Sequence, residues 1–315
     1  MADSAGRITL WGVEVFVATA EERSISAAAR RLGASPATVS QQITNLEGVV
    51  GTVLLDRTAR PVVPTAAGQM FLRRANVILN EAAQARAELA LADYARLTRL
   101  RLGVIEDFDA DVTPRLLAGL AEKMTDCQFL LETGASHRLM DLLDTRALDV
   151  AVVADQGDAP EWAEVHPVLE EPFVAAIPKG YAVEELRDKP LISYTSRHVM
   201  GRQIAAHLQR EGLVLSHRFE LDSYHAILAM VAEGLGWSIL TPLGWRRAQR
   251  FRDRVSVVAL PFGQLSRRIS LIARKDLLGK IPTQMAEQLR REIEVGVVAP
   301  SRAEMPWLGE AMRVL

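Results

Sequence analysis

Residues 24–46 read SISAAARRLGASPATVSQQITNL, and this stretch decides how the N-terminal part of the chain folds. Three consecutive alanines favour a short helix, for which Ser26 is the expected N-cap, and Gly33 suits the left-handed residue that ends it. Ser35 followed by Pro36 is typical of a second helix start, with serine as the N-cap and proline in the first turn. The stretch therefore predicts two helices joined by a tight turn.

The second of these helices has two different faces. Its apolar residues recur at steps of four, three and four, as on one buried helical face, and they are Val39, Ile43, Leu46 and Val50. The opposite face carries hydroxyl and amide side chains rather than Lys and Glu: Thr38, Ser40, Gln41, Gln42, Thr44 and Asn45. Such side chains hydrogen-bond the edges of bases, so the pattern favours a helix-turn-helix that binds the DNA major groove. A helical hairpin in a bundle is the alternative, and it would carry more charged i,i+4 pairs.

The flanking sequence extends this prediction. Two short strands are expected within residues 52–57 and 61–64, forming a wing whose turn holds Arg57 and Arg60. Thr65 then begins a long helix with an alanine-rich side, predicted to run to about Tyr94. A helix of that length exceeds what a small domain needs, so we interpret it as a dimerisation helix. A dimer is also what two DNA half-sites one helical turn apart require.

Charge is unevenly distributed along the chain. Residues 23–74 contain seven arginines but only two acidic residues, Glu47 and Asp56, whereas the whole chain has a formal net charge of −2. A basic segment on a weakly acidic protein indicates a surface that faces a polyanion. A solvated helical face is the alternative explanation.

Five ordered motifs carry a resemblance to a known family. They are FVA at 16–18, SISAAARRL at 24–32, SPATVSQQI at 35–43, LLDR at 54–57 and PTAAG at 64–68. Together they resemble the LysR-type transcriptional regulators over residues 8–68, although that family often has Gln in place of Pro36 and Arg or Lys in place of Gln41. The resemblance implies DNA contacts from Ser35, Thr38, Ser40, Gln41, Arg57, Arg60 and Thr65. The helix-turn-helix and its basic character add Ser26, Arg30, Arg31 and Pro36 as candidates.

Composition limits the classes of protein to which the chain could belong. The chain has 315 residues, of which 49% are hydrophobic and 24% charged, which is typical of a soluble globular protein of about two or three domains. No segment is apolar enough to span a membrane, and no secretory signal is visible, so we expect a cytoplasmic protein. Cys127 is the only cysteine, which excludes an intramolecular disulfide and a cysteine-based metal site. We expect no metal or cofactor, and a redox-sensing regulator usually needs a cysteine pair.

From residue 100 onward, apolar strands alternate with helices. This pattern predicts βαβ units on a mainly parallel sheet, and it starts again near residue 172, so two lobes with a cleft are expected. The LysR-type family is similar here too, through residues 141–152 and 230–239, and it implies a two-lobed, periplasmic-binding-protein-like effector domain. The predicted fold class is therefore α/β with an N-terminal all-α winged helix-turn-helix.

The expected domain organisation follows from these patterns. Residues 1–66 form the DNA-binding domain, 67–98 the linker helix, 99–300 the effector-binding domain and 301–315 a loosely packed tail. Within the effector domain, lobe I comprises about 99–171 and 274–300, and lobe II about 172–273. The resemblance implies a homodimer that associates further into a homotetramer.

Ligands in open α/β sheets bind outside the carboxyl ends of strands, beside helix N-termini. The candidate effector-binding residues in such segments are Asp107, Ser136, His137, Tyr194, Thr195, Ser196, Arg197, Ser223 and Tyr224. Arg197 offers a fork for a carboxylate, whereas Ser136 and Ser223 are equally well explained as helix N-caps. The family implies an organic or aromatic acid, but three aspartates on one loop, at 107, 109 and 111, favour a cationic or hydroxylated ligand. Both classes stay open at this point.

An enzyme is the main rival interpretation. The sequence lacks a Gly-x-Ser-x-Gly elbow, a Walker-type loop, a His-Glu-x-x-His motif and a glycine-rich dinucleotide turn. A regulator whose α/β domain only mediates oligomerisation, or has an unrecognised enzymatic activity, is a second alternative. We interpret the chain as a non-enzymatic, ligand-responsive transcription regulator. Its expected partners are double-stranded promoter DNA, a small-molecule effector and further copies of itself, with RNA polymerase as an additional candidate.

Overall fold

The computed structural model describes residues 7–89 and 97–315, and the chain divides into two compact units at about residue 90. No helix in these described ranges is both long and apolar enough to cross a bilayer. The N-terminal unit contains α1 (Leu10–Glu22), α2 (Ile25–Arg31), α3 (Pro36–Val50), β1 (Leu55–Asp56), β2 (Val63–Pro64) and α4 (Ala66–Leu89).

These elements confirm the predicted helix-turn-helix with a wing. The strands β1 and β2 pair antiparallel and are shorter than expected, with Leu55 opposite Pro64. Gly33 lies at φ +62° in the turn between α2 and α3, a conformation that favours glycine. The predicted continuation of the fourth helix to Tyr94 lies outside the described residues.

The N-cap predicted for α2 is wrong by two residues. Ser24 is the cap, because its hydroxyl oxygen accepts a hydrogen bond from the Ala27 N–H at 3.3 Å. Ser26 is exposed inside the helix, and the Ala28 N–H, two residues further on, already donates to the Ser24 carbonyl at 3.0 Å, so it does not need Ser26 as a cap. The cap predicted for α3 is confirmed, since Ser35 accepts a hydrogen bond from the Thr38 N–H at 3.1 Å.

One apolar core holds α1, α3 and α4 together. Phe16 of α1 is fully buried and meets the ring of Phe71 on α4 edge-to-face, with centroids 5.3 Å apart. Val39 and Ile43 of α3 are fully buried in the same core. Because these residues fix which side of α3 faces inward, its hydroxyl and amide side chains are left on the outside.

The C-terminal unit alternates strands and helices as expected. Its elements are β3 (Arg99–Val104), α5 (Thr113–Lys123), β4 (Gln128–Thr133), α6 (Ser136–Asp144), β5 (Val150–Ala154), β6 (Ala163–Pro172), β7 (Val174–Pro178), β8 (Leu191–Tyr194), α7 (Val199–Arg210), β9 (His217–Leu221), α8 (Tyr224–Ala232), β10 (Ser238–Leu240), α9 (Pro242–Arg247), β11 (Val255–Ala259), β12 (Ser266–Arg274), α10 (Ile281–Ile293), α11 (Ala299–Glu304) and β13 (Arg313–Val314).

The first lobe is built on a six-stranded sheet in the order β13-β6-β12-β5-β3-β4. Strand β3 pairs parallel with β4 and β5, but β12 pairs antiparallel with β5 and β6. The expectation of a mainly parallel sheet is therefore wrong. The strands that lead to and from the second lobe, β6 and β12, run against each other. Strand β6 was not predicted from sequence, because its two prolines and four ionisable residues obscure the apolar pattern.

The second lobe contains an antiparallel sheet, β10-β7-β11, and a parallel pair, β8-β9. Its predicted extent, about 172–273, is too long at the C-terminal end, because β12 from Ser266 onward belongs to the sheet of the first lobe. The chain thus passes between the lobes twice, after β6 and before β12.

The expectation of a loosely packed tail at 301–315 is wrong. A π-helical turn at Glu294–Val298 joins α10 to α11, and β13 then adds to the edge of the six-stranded sheet beside β6. Leu308 and Met312 are buried, while Trp307 is exposed. Buried residues between prolines and short turns follow neither helical nor strand periodicity, so the sequence pattern did not reveal this packing.

Candidate nucleic-acid face and interlobe cleft

The outer face of α3 presents uncharged hydrogen-bonding groups to solvent. Thr38, Gln41, Thr44 and Asn45 are exposed, and Ser40 is half-buried. The Gln41 side-chain amide donates to the Asn45 side-chain oxygen at 2.8 Å, one turn further along the helix. The Gln41 oxygen and the Asn45 amide are then the outward acceptor and donor of the pair. An amide acceptor and donor side by side match the edge of adenine in the major groove.

The N-terminus of α3 is ordered by its own side chains. The Ser35 and Thr38 hydroxyl oxygens lie 2.8 Å apart, and Ser35 also caps the helix. Pro36 occupies the first turn and is exposed. Ser35 therefore holds the first turn of α3 in place, and a helix N-terminus of this kind favours a phosphate.

Arg57 joins the wing to α3. Its guanidinium forms an ion pair with Glu47 and donates to the Thr44 hydroxyl at 3.1 Å. Glu47 also accepts hydrogen bonds from the N–H groups of Leu54 at 2.8 Å and Leu55 at 3.1 Å. The Glu47 carboxylate therefore offsets the charge of Arg57, and both side chains hold the wing in place.

Of the remaining residues predicted to contact DNA, some are bonded within the protein and others are exposed without an ion pair in the described part of the chain. Thr65 donates to the Val53 carbonyl at 2.8 Å and accepts from the Gly68 N–H at 3.0 Å, so its hydroxyl fastens the wing and caps α4. Arg31 forms ion pairs with Glu21 and Glu22. Arg30 and Arg60 are exposed, and neither forms an ion pair within the described part of the chain. These two arginines are the ones open to a phosphate.

A groove beside the outer face of α3 was not among the features predicted from sequence. Arg7 and Thr9, which precede α1, line it together with Gln42 and Asn45 of α3. Arg7 adds a cation near the amide pair. The spacing of four between Gln41 and Asn45 was a usable signal for that pair, but nothing in the local sequence places Arg7 there.

The interlobe cleft is a cavity of about 80 Å³ in the C-terminal unit. It is formed by the loop after β3, the starts of α6, α7 and α8, and one residue of β12. Its lining residues are Ile105, Glu106, Asp107, Gly134, Ala135, Ser136, Ala154, Tyr194, His198, Val199, Met200, Asp222, Tyr224 and Arg267.

A buried ion cluster lies at the cleft. Arg267 donates to Glu171 through Nε at 2.8 Å and to Asp107 through Nη2 at 2.6 Å, and these three side chains are 5%, 0% and 7% exposed. Arg267 and Glu171 are direct partners across β12 and β6. The second Glu171 oxygen accepts from the Leu243 N–H at 3.2 Å. Burial raises the pKa of Glu171, an effect that the adjacent Arg267 opposes.

Aromatic side chains form the second-lobe side of the cleft. The ring of Tyr194 lies 5.4 Å from that of Tyr224 and 5.8 Å from that of His198, measured between centroids. The Tyr194 hydroxyl donates to the Asp222 carbonyl at 3.0 Å. Burial raises the pKa of both phenols, so both stay uncharged. A Cβ at Gly244 would lie 2.5 Å from the Tyr224 ring, so glycine is needed there to place that ring.

Two histidines face each other from the two lobes. His137 on α6 and His198 before α7 have ring centroids 5.7 Å apart. Burial and the nearby His137 lower the pKa of His198, so its imidazole is neutral at neutral pH. His137 therefore reaches the mouth of the cleft, although it is exposed and not part of the cavity wall.

Four predicted effector residues lie on the cavity wall: Asp107, Ser136, Tyr194 and Tyr224. The Ser136 Oγ accepts a hydrogen bond from the Ala154 N–H at 3.1 Å, and this bond joins α6 to β5. Ser223 occupies the N-cap position of α8 and makes no side-chain cap hydrogen bond.

The segment after β8 turns away from the cavity. Thr195 is buried and donates to Glu220 at 2.7 Å, and the Ser196 N–H donates to the same carboxylate at 3.2 Å. Arg197 is exposed, and its Nε lies 3.4 Å from the Thr195 hydroxyl. The structure therefore does not bring the predicted carboxylate fork to the cleft.

The charged residues that sequence analysis missed are Glu106, Asp222 and Arg267. Glu106 and Asp222 adjoin predicted positions, so the rule about strand ends pointed to their segments. Arg267 had no local signal, because its burial depends on pairing with Glu171, 96 residues away.

The chain matches two known protein-family models and is similar to several known proteins. A family model described as "Bacterial regulatory helix-turn-helix protein, lysR family" matches residues 10–69, and one described as "LysR substrate binding domain" matches residues 96–294. A probable hydrogen peroxide-inducible genes activator from Mycobacterium avium is 29% identical over 287 residues, which cover 87% of this chain and 90% of that relative.

Solved structures of full-length regulators share the fold. A cysteine variant of full-length OxyR from Pseudomonas aeruginosa gives a TM-score of 0.69 at 23% identity, covering 93% of this chain and 97% of the other. Full-length CbnR in complex with its target DNA gives a TM-score of 0.58 at 22% identity, covering 90% of this chain and 100% of the other.

Proposed function

The chain belongs to the LysR family of bacterial transcription regulators, and from this premise we propose that it binds specific DNA sequences under the control of a small-molecule effector. The helix-turn-helix match falls on the unit that contains α3. The substrate-binding match falls on the two-lobed unit that contains the cleft. The proposed DNA binding and the proposed effector control therefore fall on different units of the chain.

The main support for the proposed DNA binding is the exposed polar face of α3. Its exposed side chains are uncharged donors and acceptors, and the Gln41–Asn45 pair is already aligned. Arg30 and Arg60 on the same unit supply positive charge for the phosphate backbone. CbnR, a neighbour in fold, was solved with its target DNA, which supports this role for the architecture.

The proposal includes a homodimer paired through α4. This helix has 24 residues, longer than is needed to cover the helix-turn-helix core. Two paired copies would present two α3 helices to half-sites one or more helical turns apart. The effector domains would associate further into a homotetramer, and RNA polymerase is a further proposed partner at the promoter.

Control by an effector requires that the ligand distinguish two arrangements of the protein. A ligand in the cleft changes DNA binding only by as much as its affinity differs between those arrangements. The buried cluster of Arg267, Glu171 and Asp107 joins residues from the loop after β3 to both strands that connect the lobes. A ligand at Asp107 therefore acts on groups that fix how the lobes meet.

Selection from a pool of random duplexes tests this function directly. Full-length protein is expected to enrich a sequence with two related half-sites, separated centre to centre by about 10 base pairs or a multiple of that. A mock selection without protein is the control. A pool that stays random after several rounds at low salt would contradict the DNA-binding role.

Hydrogen peroxide sensing through a thiol, suggested by the names of the relatives, is not part of the proposal. Cys127 is the only cysteine, and burial raises the pKa of its thiol to about 11. The thiolate is the form that reacts with oxidants, and Cys127 lies outside the cavity wall. We expect peroxide to leave the affinity for the selected duplex unchanged. A peroxide-induced change that Cys127→Ala abolishes would contradict this prediction.

A further inference from the structure

The charges on the cavity wall do not suit an acid. Three carboxylates line the cavity, those of Glu106, Asp107 and Asp222, together with one guanidinium, that of Arg267. Glu171, which is fully buried, lies behind Arg267 and holds it. The wall and its immediate support therefore carry an excess of negative charge.

The only cation on the described part of the wall is already engaged. Arg267 donates to Glu171, to Asp107 and to the Thr241 hydroxyl at 3.2 Å, while its Nη1 faces the Met200 sulfur at 4.0 Å. A ligand carboxylate would have to displace one of these buried partners, which would leave that partner unpaired. Arg197, the other candidate fork, is not on the wall.

Asp107 offers a carboxylate oxygen, which can accept a hydrogen bond from a ligand but would repel a ligand carboxylate. Its side chain is only 7% exposed, and Arg267 bonds its Oδ2, whereas Oδ1 has no hydrogen-bond partner within the described part of the chain. Oδ1 retains some solvent contact on a side chain that lines the cavity, so a ligand there can donate a hydrogen bond to it. The phenols of Tyr194 and Tyr224 already donate elsewhere, to the Asp222 carbonyl and the Met200 sulfur.

We propose that the effector of this regulator carries a protonated amine, which binds Asp107 between the carboxylates of Glu106 and Asp222 and against the rings of Tyr194 and Tyr224. This inference rests on the proposed function, since it names the ligand class of the same cleft. An ammonium group supplies three donors and a positive charge, and aromatic faces attract cations. The cavity volume of about 80 Å³ restricts the group that enters to a few heavy atoms.

Two probes with the same carbon skeleton and opposite charge test the ligand class. Full-length protein is titrated with n-propylammonium chloride and, separately, with sodium propionate, at constant ionic strength. Thermal unfolding and calorimetry report binding, because a ligand of the folded state raises its apparent stability. n-Propylammonium is expected to bind and propionate is not. Propionate binding as tightly as n-propylammonium would overturn the proposal, as would the absence of any n-propylammonium binding.

Variants then locate the bound ammonium group. Asp107→Asn is expected to weaken n-propylammonium binding by about tenfold or more, because it removes the buried charge. Glu106→Gln and Asp222→Asn change exposed side chains that the fold does not use, and each is expected to weaken binding roughly two- to fivefold. Glu184→Gln, at an exposed position in the second lobe, is the matched control and is expected to bind normally. Equal binding by all four variants would place the ammonium elsewhere and overturn the proposal.

The readout separates this inference from the proposed function. n-Propylammonium binding is measured without DNA, so it stands or fails independently of DNA recognition. If the Asp107-dependent binding is found but the affinity for the selected duplex does not change with the ammonium, then the ligand class holds and the proposed coupling fails.

Discussion

The outer face of α3 and the interlobe cleft both present polar side chains, but they hold them in opposite ways. On α3 the side chains are uncharged, exposed and bonded within a turn of their own helix, as in the pair of Gln41 and Asn45. At the cleft, the cluster of Arg267, Glu171 and Asp107 is buried, and it is bonded between residues distant in the chain. The first surface is suited to exchanging water for the groups of a partner. The second is suited to a switch, because its bonds depend on where separate segments of the chain meet.

The largest expected effect comes from removing the cation of the buried ion cluster at the cleft. Arg267→Met leaves Glu171 and Asp107 without their cation, and we expect the free energy of unfolding to fall by about 3–5 kcal/mol. Urea unfolding of the full-length protein measures it. Arg268→Met, at the exposed neighbouring position on β12, is the control and is expected to change the free energy by less than about 0.5 kcal/mol. Equal stability of the two variants would show that the cluster does not hold the fold.

A change on the outer face of α3 is expected to alter DNA sequence specificity rather than the stability of the protein. Gln41→Ala removes the outward acceptor oxygen of the pair, and we expect it to reduce discrimination at one base pair of the selected duplex by about 1–3 kcal/mol. Binding to single-substitution duplexes measures the effect. Gln69→Ala, exposed on α4, is the control. A loss of affinity that is the same for every duplex would mean that Gln41 does not read a base.

A smaller effect distinguishes two serines of one short helix. Ser24→Ala removes the N-cap of α2 and is expected to lower the free energy of unfolding by about 1 kcal/mol. Ser26→Ala changes an exposed position inside the same helix and is expected to be neutral or slightly stabilising, because alanine is the best helix former. Thermal unfolding of both variants measures the difference. The reverse order would restore Ser26 as the cap.

The smallest effect is a pH dependence at the mouth of the cleft. The pKa of His198 is lowered in the folded protein, so the folded state resists protonation of this ring. Its contribution to stability is fully present above the unfolded pKa of about 6.5 and is lost as the pH falls below that value. His198→Gln is expected to reduce the loss of stability on acidification from pH 7, measured by thermal unfolding. His225→Gln, which is not on the cavity wall, should retain the full loss.

The helix-turn-helix could be predicted from sequence because its signals are local. The apolar spacing of Val39, Ile43 and Leu46, the Ser35–Pro36 start and Gly33 all act within one or two turns, and each lies where expected. The one error there, Ser26 instead of Ser24, arose because both serines precede the same alanines. Only the backbone at Ser24, which is extended, shows which of them is the cap.

The cleft could be predicted only as a set of segments. The rule about strand ends selected Asp107, Tyr194 and Tyr224, which lie on the cavity wall. It could not predict that Arg197 would be exposed and off the cavity wall, or that Arg267 would be the cation on that wall. Both outcomes depend on strand pairing and on the antiparallel β6 and β12, which join residues almost a hundred positions apart.

Affinity for duplex DNA, measured at two salt concentrations, tests the central claim most directly. Full-length protein is titrated into the selected duplex and into a scrambled duplex of the same composition, with binding followed by fluorescence anisotropy. The account predicts that the selected duplex binds about 10³-fold or more tightly than the scrambled one, and that both affinities fall steeply as salt is raised. Equal affinity for the two duplexes, or no binding at low salt, would contradict it.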